Sequence, residues 1–402
     1  MSNSEKIPAL VCGEIGLIRS LGEVGVPVYA GSYYKDHIAY YSKYVKKRLH
    51  FESSLSHDFV KQLVDLGKAE RRKMVFFSDD DRVILTFSQY RGDLAPYYYF
   101  NLPDAEVVDS LLDKRKFALL AEQYDLPAPR SFIPSSSEEV KCAGSKMEFP
   151  VIVKPAHKDD WWDPKFKQLV GPYRKAIMCQ DIDSLTDLYS KVAQINPAIV
   201  VQEYVEGDDN DLFSVNIYLC KNSDKLGYFI GHKQRVYPIH AGVATVVETI
   251  RNDEVGKLAL DIMNKLGLRG HVNIQFKHDR RTGDYKIMEI HARNSLWAYL
   301  GTASGLNLAA MAYRDMVGLN NPEVPVPHYG TKWIDFNKDL KALFDYRKAG
   351  EITTSTWLKA YMGRKAFHIH SLRDPKPFLM DTWFFLKRYL RATRRSGAAS
   401  HV

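Results

Sequence analysis

Two segments late in the chain could hold a metal and a phosphate: Gly270-His271-Val272-Asn273-Ile274-Gln275-Phe276-Lys277, and Tyr285-Lys286-Ile287-Met288-Glu289-Ile290-His291-Ala292-Arg293. Both alternate polar and apolar residues with period two, and the polar, glycine-containing stretch Asp279 to Gly283 separates them, so they predict a β-hairpin. With the turn centred on Thr282, Gln275 opposes Glu289 and Asn273 opposes His291. Opposed side chains share one face of a sheet, with Cβ atoms about 4.5–5.5 Å apart. Asn273, Gln275, Glu289, His291 and Arg293 then form a polar row, while Ile274, Phe276, Met288 and Ile290 face a core. Oxygen donors, a carboxylate and a cation suit a magnesium ion bridged to phosphate, because Mg2+ takes one or two carboxylates and completes its octahedron with phosphate and water. A solvated sheet face carrying a Glu–Arg pair is the other reading of the same row.

A chain of 402 residues has room for two or three domains to position such a hairpin. Ala9 to Cys12 reads as a buried strand, followed by a helix to about Gly25 and a second strand over Val26 to Ala30, the start of an open parallel sheet. Gly13-x-x-Gly16 is not a dinucleotide fingerprint. Lys73 to Phe77 reads as a further strand. The acids Asp79, Asp80 and Asp81 after it either bind a metal or cap a helix over Arg82 to Tyr90. A helical pattern from Asp109 to Tyr124, stopped by Pro127 and Pro129 and followed by the strand Val151 to Lys154, starts a second domain near residue 109. Pro322 to Pro327 reads as the linker that closes it.

Composition excludes several classes. The 45% hydrophobic and 26% charged fractions are those of ordinary globular chains, and no apolar run reaches the ~18 residues of a membrane span. Met1 to Lys6 shows no leader pattern, and the four cysteines form no CxxC pair, so the expected location is the cytosol with reduced thiols. The +8 charge attracts an anion: nucleotide phosphate, an acidic substrate, nucleic acid or an anionic membrane. Cations are spread along the chain and no nucleic-acid-reading motif accompanies them, which argues against nucleic acid.

The hairpin resembles the metal-binding strands of the ATP-grasp superfamily, in which an acid or Gln on one strand faces Glu-x-Asn-x-Arg on the next. Three further segments fall in the superfamily's order: Asp113-Lys114, Phe149 to Lys154, and Val200-Val201-Gln202-Glu203-Tyr204-Val205-Glu206-Gly207. The resemblance implies that Lys114 and Lys154 contact nucleotide phosphate, that Gln202, Glu203, Tyr204 and Val205 form the adenine hinge, and that Asp208 or Asp211 touches ribose or metal. It further implies that Gln275, Glu289 and His291 hold Mg2+, with Mn2+ as an alternative, and that Lys233, Arg235 and Arg293 hold an acyl phosphate or substrate carboxylate. Two features depart from the pattern. His291 stands where the superfamily has Asn, leaving Asn294 as a substitute, and the loop from Ala156 to Lys167 lacks the glycine-rich phosphate signature, so its lysines, with Trp161 and Trp162 as a lid, would cover the phosphates instead.

Ile18-Arg19-Ser20-Leu21-Gly22, Ser42 to Val45, Phe77 to Asp80 and Asp374-Pro375-Lys376-Pro377 are similar to a subgroup of ATP-dependent carboxylate–amine ligases related to D-aspartate ligase. The fold implied is α/β (α+β in part). An open parallel pre-ATP-grasp domain occupies 1–108, a two-lobed ATP-grasp domain 109–325, and a C-terminal extension 326–402. The implied activity joins a small-molecule carboxylate to an amine, one of them an amino acid, using ATP and releasing ADP and phosphate. Other ATP-grasp chemistry, carboxylating or kinase-like, and a non-catalytic ATP-binding module are the alternatives. Asp381 to Arg395 holds four aromatics and five cations, suited either to an anionic membrane surface at the inner face or to docking on the main body.

Overall fold

The apolar runs become the strands of three sheets in the computed structural model, which describes residues 6–399 apart from 54–56, 158–159, 163, 172–175, 222–223 and 241. The first sheet contains β1 (Ala9–Cys12), β2 (Val28–Ser32), β3 (Val45–His50), β4 (Met74–Ser78) and β5 (Tyr98–Tyr99), all parallel in the order β3-β2-β1-β4-β5. Strands β1 and β4 are buried along their whole length, as expected where both faces of a parallel sheet are covered. The first helix, Ile15–Gly22, stops earlier than the sequence pattern suggests. Gly25 adopts a positive φ of 74°, and β2 starts at Val28.

The helical stretch expected over 109–124 is two helices, Ala105–Leu112 and Lys114–Gln123. Asp113 separates them by capping the second: its carboxylate accepts from the backbone N–H of Arg115 and Lys116. The helix Ala105–Leu112 therefore runs across the expected boundary at residue 108. A four-stranded antiparallel sheet follows, of β6 (Ser131–Phe132), β7 (Val151–Pro155), β8 (Ile177–Cys179) and β9 (Ile199–Glu203) in the order β6-β9-β7-β8.

The third sheet has seven strands: β10 (Leu212–Leu219), β11 (Leu226–Tyr237), β12 (Val243–Ile250), β13 (Gly270–His278), β14 (Tyr285–His291), β15 (Lys332–Ile334) and β16 (Lys365–Phe367). Their order is β14-β13-β10-β11-β12-β15-β16, and every pair but β15–β16 is antiparallel. Strands β15 and β16 lie beyond the linker at 322–327, so that linker does not close the second unit; the extension completes its sheet. The extension also reaches the first domain. Asp374 accepts from Arg19 Nε (3.0 Å) and Ser42 Oγ (2.8 Å), and Arg19 and Asp374 are each 1% exposed. The subgroup motifs around Arg19, Ser42 and Asp374 are thus one buried polar cluster holding the chain together, remote from the hairpin row in sequence and in role.

Candidate active site

The hairpin forms as its pattern predicts, with Asn273 opposite His291 and Gln275 opposite Glu289. A register shift follows at Gln275/Phe276, so that Phe276 faces Ile287. Ile287 is therefore buried, and Met288, expected in the core, is only half-buried. Asn273 does not stand in an open row: it is 3% exposed and donates from Nδ2 to Ser214 Oγ at 2.6 Å. Gln275 Nε2 lies 3.2 Å from His291 Nε2, and its Oε1 accepts from Lys233 Nζ.

His291, expected to hold the metal, lies between two carboxylates. Its Nε2 is 3.1 Å from Glu289 and its Nδ1 3.3 Å from Asp81. Burial and Arg293 push the imidazole's pKa down, but Asp81 and Glu289 outweigh them and raise it above the ordinary value. Glu289 and Gln275 retain hard oxygen donors and fit a magnesium ion that completes its shell with phosphate and water. Among the described residues no three His, Cys, Asp or Glu side chains converge as a metal cage.

Lys154 is the point at which charges from several elements meet. Lys154 on β7 lies within electrostatic reach of Glu289 on β14, of Lys114 and of Lys277 on β13. Burial, helped by the neighbouring ammonium groups and opposed by Glu289, lowers Lys154 to about 8. Its Nζ donates to Gln202 Oε1 at 2.7 Å. Lys114 is the first residue of its helix and is anchored by its N–H donating to Ala156 O. Lys277 was not expected at the site. It follows Gln275 by two residues on β13, and that period marks it as sharing the row's face. Its Nζ donates to Val205 O (2.9 Å) and lies 5.4 Å over the Tyr204 ring, tying the hinge to the hairpin strand.

Other expected residues lie close by with different partners. Glu203 accepts from Arg281 (2.8 Å) and from the N–H of Arg130 (3.1 Å), so its carboxylate secures the hinge. Asp211 accepts from the N–H of Asp208 and pairs with Arg280 at 2.8 Å, closing the turn at Gly207. Arg235 is a correction. It is 5% exposed and forked onto Asp339 by two 2.8 Å bonds, with Thr245, Trp357 and Tyr361 donating to the same carboxylate. The β11–β12 register shifts on both sides of Arg235, which turns its side chain to the face opposite Lys233. Trp161 is also buried, stacked on Phe166 in the core of the four-stranded sheet rather than poised as a lid. Lys158, Asp159, Asp163 and the Trp162 side chain of that loop lie outside the described residues.

The three acids after β4 divide their work. Asp80 caps the helix Asp81–Gln89 by accepting from Arg82 N–H. Asp81 forms a two-pronged pair with Arg293, Nη2 at 2.9 Å, and this joins the parallel domain to the end of the hairpin. Asp79 accepts from the N–H of Glu14 at 2.9 Å; burial and the neighbouring Glu14 charge raise it to about 7. Gly13 permits this approach, since a Cβ there would lie 2.7 Å from Asp79 Oδ1. Asp79, Asp80, Glu14, Tyr33, Tyr34 and His37 line a pocket at the carboxyl ends of β1, β2 and β4, where open parallel sheets bind ligands.

Comparison with known proteins agrees with this architecture. Residues 196–337 match a family model described as ATP-grasp in the biosynthetic pathway with Ter operon. The chain is 26% identical over 353 residues to the D-aspartate ligase of Enterococcus faecium, spanning 83% of this chain and 82% of the relative. Its fold is similar to the biotin carboxylase domain of the Hydrogenobacter thermophilus 2-oxoglutarate carboxylase, solved with MgADP, at a TM-score of 0.61, 15% identity, and coverage of 81% of this chain and 73% of that one. It is also similar to an L-amino acid ligase from Bacillus licheniformis, at a TM-score of 0.57, 14% identity, and coverage of 78% and 74%. The parallel sheet followed by two antiparallel sheets is the architecture of ATP-grasp structures, and residues 196–337 carry the match to the ATP-grasp model.

Proposed function

We propose that the protein is an ATP-dependent carboxylate–amine ligase. The observation that carries this reading is the buried Lys154, bonded to Gln202 of the hinge strand and within electrostatic reach of Lys114, Lys277 and Glu289. Three ammonium groups beside one carboxylate form a site for a polyanion, and Lys154 becomes a favourable cation only once that polyanion is bound. The likeness to D-aspartate ligase supports amide-bond formation as the use made of the nucleotide.

In this reading a substrate carboxylate oxygen attacks the γ-phosphorus of ATP and ADP leaves. The amine nitrogen then attacks the acyl carbon, the C–O bond to phosphate breaks, and the nitrogen loses a proton. A magnesium ion held by Glu289 and Gln275 with phosphate oxygens would supply charge neutralisation during the transfer. Lys114, Lys154 and Lys277 hold the phosphates, and the backbone around Tyr204 faces the base. Lys233 and Arg293 stand at the same edge as cations for the acyl phosphate, Arg293 exchanging Asp81 for it. The acid- and tyrosine-lined pocket beside Asp79 has the chemistry to take an ammonium group, and Asp79 on its wall lies within electrostatic reach of Arg293.

The test is turnover of MgATP across amino acids of both hands with acidic acceptors, scoring ADP against AMP, with Glu289→Ala as the matched control. Substrate-dependent ADP and phosphate that disappear in the control support the reading, whereas AMP formation refutes it. Bicarbonate-dependent ADP formation would indicate the carboxylating alternative, and a stable phosphorylated product the kinase-like one. The pairing of His291 with two carboxylates favours one further reading, a module that binds ATP without consuming it. That reading predicts nucleotide binding with no turnover in any substrate pair.

A further inference from the structure

The net charge of the chain is not distributed as its cations are. Residues 326–402 hold 15 of the 56 Lys and Arg but only 6 of the 48 Asp and Glu, so this fifth of the chain carries the whole +8 excess. The same region ends in the helix Lys376–Ala399. A narrow stripe of that helix is docked, with Phe384 edge-on to Tyr41 of the parallel domain at 5.8 Å and Asp381 accepting from Asn337 in the helix Phe336–Lys348. The rest of its first three turns is apolar and open to solvent: Leu379 is 61% exposed, Trp383 50%, Phe385 61% and Leu386 46%. Leu379, Trp383 and Leu386 stand four and three residues apart, on one face. Lys387 follows, its ammonium 4.9 Å over the Trp383 ring, and the sequence continues with Arg388, Tyr389, Leu390, Arg391, Arg394 and Arg395.

We propose that this face of the terminal helix docks peripherally on an anionic membrane surface. Indole at the headgroup boundary, leucines beneath it and a following run of cations are the chemistry of an interfacial helix. A nucleic acid would use the cations and leave the leucines in water. Charge complementarity argues against a second copy of the chain as the occupant, since two faces bearing the same excess repel. No described helix is long and apolar enough to cross a membrane, so the helix lies on the surface. The inference does not depend on the ligase reading.

The experiment is co-sedimentation of the full chain with phosphatidylglycerol:phosphatidylcholine vesicles and with phosphatidylcholine vesicles alone. The expected result is binding to the anionic vesicles only, weakened by added salt. Lys387→Glu should weaken it at least fivefold, each cation near such a surface being worth about a factor of five. Deleting residues 381–402 should abolish it; Asp374 and its partners remain, and a single cooperative thermal unfolding transition certifies the fold. Vesicles with brominated acyl chains should quench fluorescence in the full chain and not in Trp383→Phe, which still sediments. Three results would overturn the proposal: a full chain left in the supernatant, equal binding to neutral vesicles, or a dimer in solution that the deletion makes monomeric while neither form binds vesicles.

Discussion

Lys154→Met should weaken nucleotide binding and, in the same protein, raise the melting temperature of the nucleotide-free form. The native environment lowers Lys154 from its ordinary 10.5 to about 8, chiefly by burial. At neutral pH the side chain is nevertheless charged in both native and unfolded chains, so the native state bears a cost of about 3 kcal/mol. The group keeps partial contact with solvent, which trims the cost to about 2 kcal/mol. Methionine removes it but leaves Gln202 Oε1 without its donor, a loss of about 1 kcal/mol. The net gain is about 1 kcal/mol, or roughly 1–3 °C for a chain of this size. The sign with pH follows from the same values. The unfolded chain holds its proton up to 10.5 and the native one only to about 8, so wild-type stability should rise between those values and the variant's rise should be smaller. Against this, losing a charge-assisted bond to phosphate costs about 1.5–3 kcal/mol, a 10- to 150-fold weakening of MgADP. Thermal melts at neutral and alkaline pH, with titration calorimetry of MgADP, measure both effects. A variant that melts lower and binds MgADP as tightly as the wild type would show that Lys154 is an ordinary lysine and sink the polyanion-site argument.

Asp339→Asn should cost about 3–5 kcal/mol, because it leaves the buried Arg235 cation uncompensated, and should appear as a lower urea midpoint with unchanged KM in whatever enzyme survives. His368, 3.5 Å from both Glu14 and Asp335, is raised to about 9 because those two carboxylates outweigh burial. Its contribution is fully present below its ordinary 6.5 and lost as pH rises through about 9, so His368→Leu should flatten the melting temperature across that window. If the Asp79 pocket takes the amine through an ionised carboxylate, the amine KM should fall as pH rises through about 7. Asp79→Asn should erase that inflection, and an inflection that survives the substitution would assign it elsewhere. Lys277→Ala should weaken MgADP about tenfold by removing a phosphate cation and freeing the hinge at Val205; unaltered affinity would confine it to the hinge.

The hairpin was legible because period-two alternation and a glycine-bearing turn are local properties, and the register around Gln275 and Glu289 follows from them directly. What failed was whatever depends on an irregularity the alternation does not encode. One extra residue in β11 turns Arg235 away from Lys233, and a shift after Gln275 exchanges Ile287 for Met288 in the core. Lys277 was legible and overlooked, since it continues the spacing of Asn273 and Gln275. Asp81 shows the other limit. Its position at a helix start explains it sufficiently in sequence, yet its partners Arg293 and His291 lie more than 200 residues away, where only the folded chain brings them. Trp161 illustrates the same point, because its stacking on Phe166 belongs to a core that the loop sequence does not announce.

The cluster at Arg19 bears on the order in which the molecule can come into being. Arg19 leaves the ribosome long before its partners, because the carboxylate and carbonyls that surround it belong to His368, Ile369 and Asp374, about 350 positions later. Until those are synthesised the guanidinium has no partner in the interior it is meant to occupy, and a buried arginine without one is too costly to keep. The parallel domain is therefore made before the two antiparallel sheets and finished after them, and it must wait in a looser form while they assemble. A fragment ending at the proline linker should stay in that waiting form indefinitely, whereas one ending just past Asp374 should close.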